Sequence, residues 1–260
     1  MTMNKAATLK SIVNNPDFIE SMRQIAPKYM NVERLVKLCL VTASRNPKIY
    51  DCTKASILGA MMTAAEFGLE CSGATGEAYL IPYKNKAGVL ELQFQPGYKG
   101  LRKLAKRQNK ALKNPRSVVV YKNDVLIYKE GDNPSIEHQI PNPFDRGEMV
   151  GVYAIAEFSD GSRLVEVMSR ADVDKIRKRS RAANDGPWVT DYSEMARKTV
   201  LKRLCKHIGP DGEDDLLARA LDLDDEEFRG GEGAAGSRGS AAATLFENLY
   251  EVVECLKLLV

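Results

Sequence analysis

Segments that alternate polar and apolar residues come in consecutive pairs joined by turn residues, with helical segments before and after them. Residues 77–83 and 89–95 alternate on either side of the turn-rich Lys84-Asn85-Lys86-Ala87-Gly88. Residues 118–121 and 125–129 read as the next hairpin, about Asn123-Asp124. A loop rich in Pro and Asn (Pro134, Pro141, Asn142, Pro143) leads to a third, in which 149–158 pairs with 163–168 across Ser159-Asp160-Gly161-Ser162. Strands that arrive as hairpins cannot build the alternating strand–helix rhythm of a parallel sheet. The pattern predicts an α+β fold, with antiparallel β-hairpins or sheet packed with helices. Helices are expected over 31–44, 53–67, 98–113, 170–182 and 191–207. Asn46-Pro47 and Asn114-Pro115 stop the first and third. Thr53 or Asp51 caps the second, and Gly68 ends it. Asp191 with Glu194 resembles a capping box for the last.

Charge is distributed unevenly along these elements. The formal net charge of the 260-residue chain is +3, yet residues 211–260 carry 4 bases and 13 acids, a net of −9. The preceding 210 residues hold 34 bases and 22 acids, a net of +12. A basic body beside an acidic tail points to a polyanionic partner. Within the tail, residues 230–243 are low in complexity and read as a flexible linker, and 244–260 as a short amphipathic helix. The tail is expected to compete with a polyanion or to recruit a partner.

The sharpest signal is the stretch 92–123, which has nine bases and no Asp or Glu. At about 100° per residue, Lys99, Arg102, Lys103, Lys106, Arg107, Lys110 and Lys113 fall on one face. Leu101, Leu104, Ala105, Ala111 and Leu112 fall on the other. Solvated helix faces usually mix signs, because like charges at i, i+4 repel. A single-sign face therefore suggests phosphate binding. Two more clusters follow: Lys175, Arg177, Lys178, Arg179 and Arg181, then Arg197, Lys198, Lys202, Arg203 and Lys206. No zinc finger, RNA-binding aromatic signature or helix-turn-helix accompanies them, so the contacts would be independent of sequence and sensitive to salt. Among nearby aromatics, Phe94 reads as core, and Tyr98 equally as a stacking platform or as core packing or a tyrosine cap. Trp188 is expected in a loop, at a subunit contact or against DNA.

Several chemistries lack their residues. There is no GxxxxGK[ST] loop for ATP, and no run of 18 apolar residues to span a membrane. The first residues lack the apolar core of a signal peptide. Five widely spaced cysteines without a CxxC pair argue against a disulfide framework or structural zinc and suit a reducing cytoplasm. With two histidines, His138 and His207, a catalytic metal site is not expected. The enzyme alternative is a nuclease using Glu137, His138 and Glu166.

Gln95-Pro96-Gly97-Tyr98-Lys99-Gly100-Leu101 resembles the QPGYKG element of RecT-type phage recombinases. So do Met168-Ser169, Arg177 with Ser180-Arg181, Gly186-Pro187-Trp188, Tyr192 with Glu194-Met195, and Lys198-Thr199-Val200 followed by Arg203-Leu204 and Lys206. The order and rough spacing hold over about 30–208. The resemblance implies an annealing core similar in fold to the Redβ and Rad52 annealing proteins. It implies a protein that binds single-stranded DNA and anneals it without ATP, holding the annealed duplex as product. Such proteins are not enzymes and need no cofactor, with Mg²⁺ at most modulating DNA binding. They form rings or helical filaments and act in the bacterial cytoplasm beside a phage 5′→3′ exonuclease and the host single-strand-binding protein. The nucleic-acid-binding set so implied is Gln95, Tyr98, Lys99, Arg102, Lys103, Lys106, Arg107, Lys110, Lys175, Arg177, Arg179, Arg181, Lys198, Lys202, Arg203 and Lys206. Residues 1–30 would be an oligomer contact, 31–210 the annealing core, and 211–260 the tail.

Overall fold

In the computed structural model, residues 2–85, 87–131, 134–180, 183–209 and 215–228 are described. The expected linker over 230–243, the helix over 244–260 and Arg181 lie outside them. Backbone contacts divide the chain into two compact units that part between Pro96 and Gly97. The hairpins and flanking helices of an α+β fold are present, with every strand pair antiparallel.

The first unit is built from four helices and one hairpin. They are α1 (Thr2–Val13), α2 (Pro16–Ile25), α3 (Val32–Arg45), α4 (Lys54–Phe67), β1 (Ala78–Lys84) and β2 (Leu90–Pro96). Caps fix the starts. Asn15, Asn31 and Thr53 each accept backbone N–H groups of the first turns of α2, α3 and α4. Gly68 closes α4 at φ 58°, in the left-handed region where a side chain would also meet the Tyr29 hydroxyl. The apolar stripes bury Met22, Leu35, Cys39, Met61 and Phe67 almost completely. β2 seats on the start of α4: Leu92 N donates to Ser56 Oγ at 2.9 Å, and Thr53 N donates to Leu90 O at 3.0 Å. Phe94 stacks on Phe67 with ring centroids 5.6 Å apart, which gives it the core role that its spacing suggests.

The second unit is built on a three-stranded antiparallel sheet in the order β3-β6-β7, formed by β3 (Arg116–Tyr121), β6 (Met149–Glu157) and β7 (Arg163–Ser169). A separate hairpin joins β4 (Val125–Lys129) to β5 (Ser135–Gln139). Its helices are α5 (Tyr98–Gln108), α6 (Arg170–Arg179), α7 (Pro187–Thr190), α8 (Tyr192–Cys205) and α9 (Leu216–Phe228). On β6, Val152, Ala154 and Ala156 are fully buried on the side covered by α8. Tyr153 and Ile155 form the other face's core with Val120, against which Leu126 of β4 and Ile136 of β5 pack. Both faces of β6 are covered, which explains its unbroken apolar run.

Five expectations need correction. β3 does not pair with β4; it pairs with β6, and β4 pairs with β5, a strand inside the segment expected as loop. The turn at 121–124 does form, with Tyr121 N donating to Asp124 Oδ2 at 2.8 Å. Lys122 N and Asn123 N then donate to Glu148 O and Arg146 O, so past the turn the chain stays joined to the segment leading into β6. α5 stops at Gln108, because Asn109 Oδ1 accepts Leu112 N and opens a turn that competes with the helix. α6 likewise ends at Arg179. Asp191 provides no side-chain cap to α8; the capping box is Ser169 with Asp172, at the start of α6. Trp188 is 1% exposed on α7, so it is core and offers no surface for stacking.

Candidate nucleic-acid interface

α5 separates its residues as the spacing requires. Leu101, Leu104 and Ala105 are fully buried, while Lys99 and Lys106 are exposed on the opposite side. Lys99, Arg102, Lys103, Lys106, Arg107 and Asn114 line one cleft of about 380 Å³. A lining this rich in cations suits an anion. Arg102 is the most constrained of them. Its guanidinium lies 5.5 Å from the Tyr98 ring centroid, and Nη2 donates to Asn114 Oδ1. Its Nε is buried without a hydrogen-bond partner among the described residues, a donor that a phosphate oxygen would satisfy. Tyr98 is itself fixed, its hydroxyl accepting from Ser117 Oγ at 3.4 Å. Asn114 carried no charge signal in the sequence; only its place before Pro115 drew notice.

The other residues of the expected set distribute as follows. Gln95 lies on β2 of the first unit, opposite Tyr79. Lys110 is exposed but stands beyond the end of α5, off the row that a longer helix would have made. Lys175 is exposed and paired with Asp172 at 3.0 Å within α6. Arg177 is anchored: Nε donates to Ala183 O at 2.7 Å, and its guanidinium lies 5.8 Å from the Tyr192 ring centroid. That ring holds α6 to α8, because the Tyr192 hydroxyl donates to Asp174 Oδ1 at 2.7 Å; burial first, then Asp174, pushes the phenol up to about 12.

The cations of α8 are engaged by carboxylates. Lys198 and Lys202 both reach Asp224, at 2.9 and 2.7 Å. Lys202 and Lys206 both reach Asp225, each at 2.8 Å. Arg203 pairs with Glu166 at 2.7 Å. Asp224 is 1% exposed and Lys202 is 8% exposed. Burial works against the charge on Asp224, but Lys198 and Lys202 together outweigh it and hold the carboxyl below its ordinary range. Arg179, the three lysines, Arg203 and the two aspartates line a cavity of about 490 Å³. The two aspartates belong to α9, within a segment whose sequence stands out for acidity. Its helical signal was the recurrence of Leu216, Leu217, Ala220 and Leu221, of which Leu217, Ala220 and Leu221 are buried.

The residues of the nuclease alternative do not converge. His138 points inward, 7% exposed, between Asp124 and the Tyr153 hydroxyl at 3.0 and 3.2 Å. Glu137, its neighbour on β5, faces out. Glu166 is held by Arg203. Among the described residues, no group of three or more His, Cys, Asp or Glu is arranged to hold a metal ion. No described helix is long and apolar enough to cross a membrane. The described cysteines are buried, and burial pushes Cys39 and Cys205 up to about 12 and Cys52 to about 11, so they are neutral thiols.

Comparison with known proteins fits this geometry. The family model described as the RecT family matches residues 33–234. The chain is 31% identical over 226 residues to Protein RecT of Escherichia coli (strain K12), which covers 86% of this chain and 82% of that one. It is 27% identical over 208 residues to the uncharacterized protein YqaK of Bacillus subtilis (strain 168), covering 79% of this chain and 68% of that one.

Proposed function

This chain belongs to the RecT family, and on that premise we propose that it binds single-stranded DNA through the α5 cleft and anneals it to a complement without ATP. The observation that carries the reading is the cleft itself: five cations in one lining, with a buried Arg102 Nε that lacks an acceptor among the described residues. Two complementary strands repel through their phosphates. Cations laid along one backbone reduce that repulsion while leaving the bases free to pair. Base pairing then supplies the specificity, so a grip that reads no sequence is sufficient. Each cleft is small, and many copies along one strand would multiply weak grips into avidity. The expected companions are a 5′→3′ exonuclease that exposes the strands and a single-strand-binding protein that must be displaced from them.

A dye-quench annealing assay with complementary oligonucleotides, run without nucleotide, checks this. The wild-type chain should accelerate pairing and leave the DNA intact. Lys99→Glu/Arg102→Glu/Lys106→Glu should abolish the acceleration, with an unchanged circular dichroism spectrum as the folding control. Lys99→Glu/Lys106→Glu, which spares the Tyr98 contact, should lose most of it. Wild-type rates in both variants would remove the cleft from the function, and degraded DNA would favour the nuclease.

A further inference from the structure

The lysines of α8 and the aspartates of α9 form an alternating row: Lys198, Asp224, Lys202, Asp225, Lys206. Three cations at i, i+4 and i+8 stand about 6 Å apart along one helix face, and each carboxylate is shared by two of them. A phosphate backbone would make the same kind of row, with anions at intervals between cationic heads. Arg179 and Arg203 open onto the same cavity, and Glu166 answers Arg203. The row is also graded. At one end Asp224 is fully buried; at the other, the Asp225 side chain is 30% exposed and that of Lys206 is 50% exposed.

We propose that α9 is a resident anionic competitor on α8, holding with Asp224 and Asp225 the positions that phosphates of a single strand take when they displace it. The proposal rests on the DNA-binding reading above and adds a second, gated site to it. Displacement begins at the open end, where Asp225 yields Lys206 to the incoming strand. Because the exchange replaces one set of anions by another, the buried Lys202 keeps a partner throughout. The apolar side of α9 meanwhile favours its return: Leu217, Ala220 and Leu221 are buried and its chain packs on α5.

The test uses the full chain and a labelled single-stranded oligonucleotide over a salt series. Asp225→Asn should tighten binding severalfold, and log Kd against log salt should steepen by about 0.7, the increment for one more phosphate neutralised. Asp222→Asn removes the same charge from an exposed position on α9 and should change neither. Asp225→Asn/Lys206→Gln should return to the wild-type value. Wild-type affinity and slope in Asp225→Asn would overturn the proposal, as would an equal gain in Asp222→Asn. A measurement on the unmodified chain stands beside the variants: saturating single-stranded DNA should speed amide exchange in α9, and unchanged protection would also overturn it. Failure of the α5 reading looks different, because Lys99→Glu/Lys106→Glu would then bind like wild type whatever the α9 variants do.

Discussion

Asp124 shows how one carboxylate places a whole hairpin. It accepts from Arg146 through Nε at 2.9 Å and Nη2 at 2.6 Å, and from His138 Nε2 at 3.0 Å. It also takes the Tyr121 N–H, so it ties β3, β5 and the β5–β6 connection together. Arg146 holds its carboxyl well below the ordinary range, with burial opposing. Asp124→Ala would strand a guanidinium and an imidazole at a nearly closed site. We expect a loss of about 3 kcal/mol, the low end for a broken buried pair because Arg146 keeps some contact with water, read from urea denaturation. The sign with pH follows from the lowered value. The stabilisation is complete above the unfolded carboxyl value near 4 and fades as pH falls toward the depressed folded one. A melting temperature that is flat from neutral down to about pH 5 and then declines, with less decline in Asp124→Ala, is the expected profile. His138 was legible in the sequence as a notable residue but not as part of this network. Its role depends on strand parity, and β5 is masked by the Pro and Asn residues around it.

At the scale of elements, local chemistry decided what could be read. Asn31, Thr53 and Gly68 announce their helix ends because a cap needs only its own turn. Gly68→Ala puts a Cβ at φ 58° and against the Tyr29 hydroxyl, so a loss of about 1–2 kcal/mol is expected in the thermal melt. Ser169→Ala removes half of the α6 capping box and should cost about 1 kcal/mol by the same measure. Pairing partners were less legible. The choice between β3–β4 and β3–β6 rests on contacts distant in sequence, such as Val119 with Val152, which no local turn specifies. The length of α5 turned on whether Asn109 would bond its own backbone, a competition that periodicity does not register. For α9, acidity drowned a clear apolar repeat.

Across the whole molecule, charge was the most legible property and its destination the least. Three basic clusters are plain in the sequence, yet the structure treats them differently. The α5 cluster lines a cleft beside Asn114, the α6 cluster is partly spent on packing, and the α8 cluster faces α9. Counting bases alone overstates the cations on offer. If the five cleft residues each neutralise one phosphate, log Kd for single-stranded DNA should rise with log salt by about 3.5 per chain. Lys99→Glu/Lys106→Glu should lower that slope by at least about 1.4, measured by fluorescence anisotropy.

The central strand carries a consequence for making the protein in pieces. From Met149 to Ala156, β6 has no charged residue, and its two sides are sealed by chain segments made before and after it. α8, which seals one side, ends at Cys205. A fragment terminated between β7 and α8 would present an uncharged, β-branched and aromatic ribbon to its neighbours, the signature of a segment that aggregates. Such fragments should collect in inclusion bodies, whereas a chain carried through α9 stays in the supernatant. A ribosome stalled anywhere in that interval holds the same hazardous ribbon.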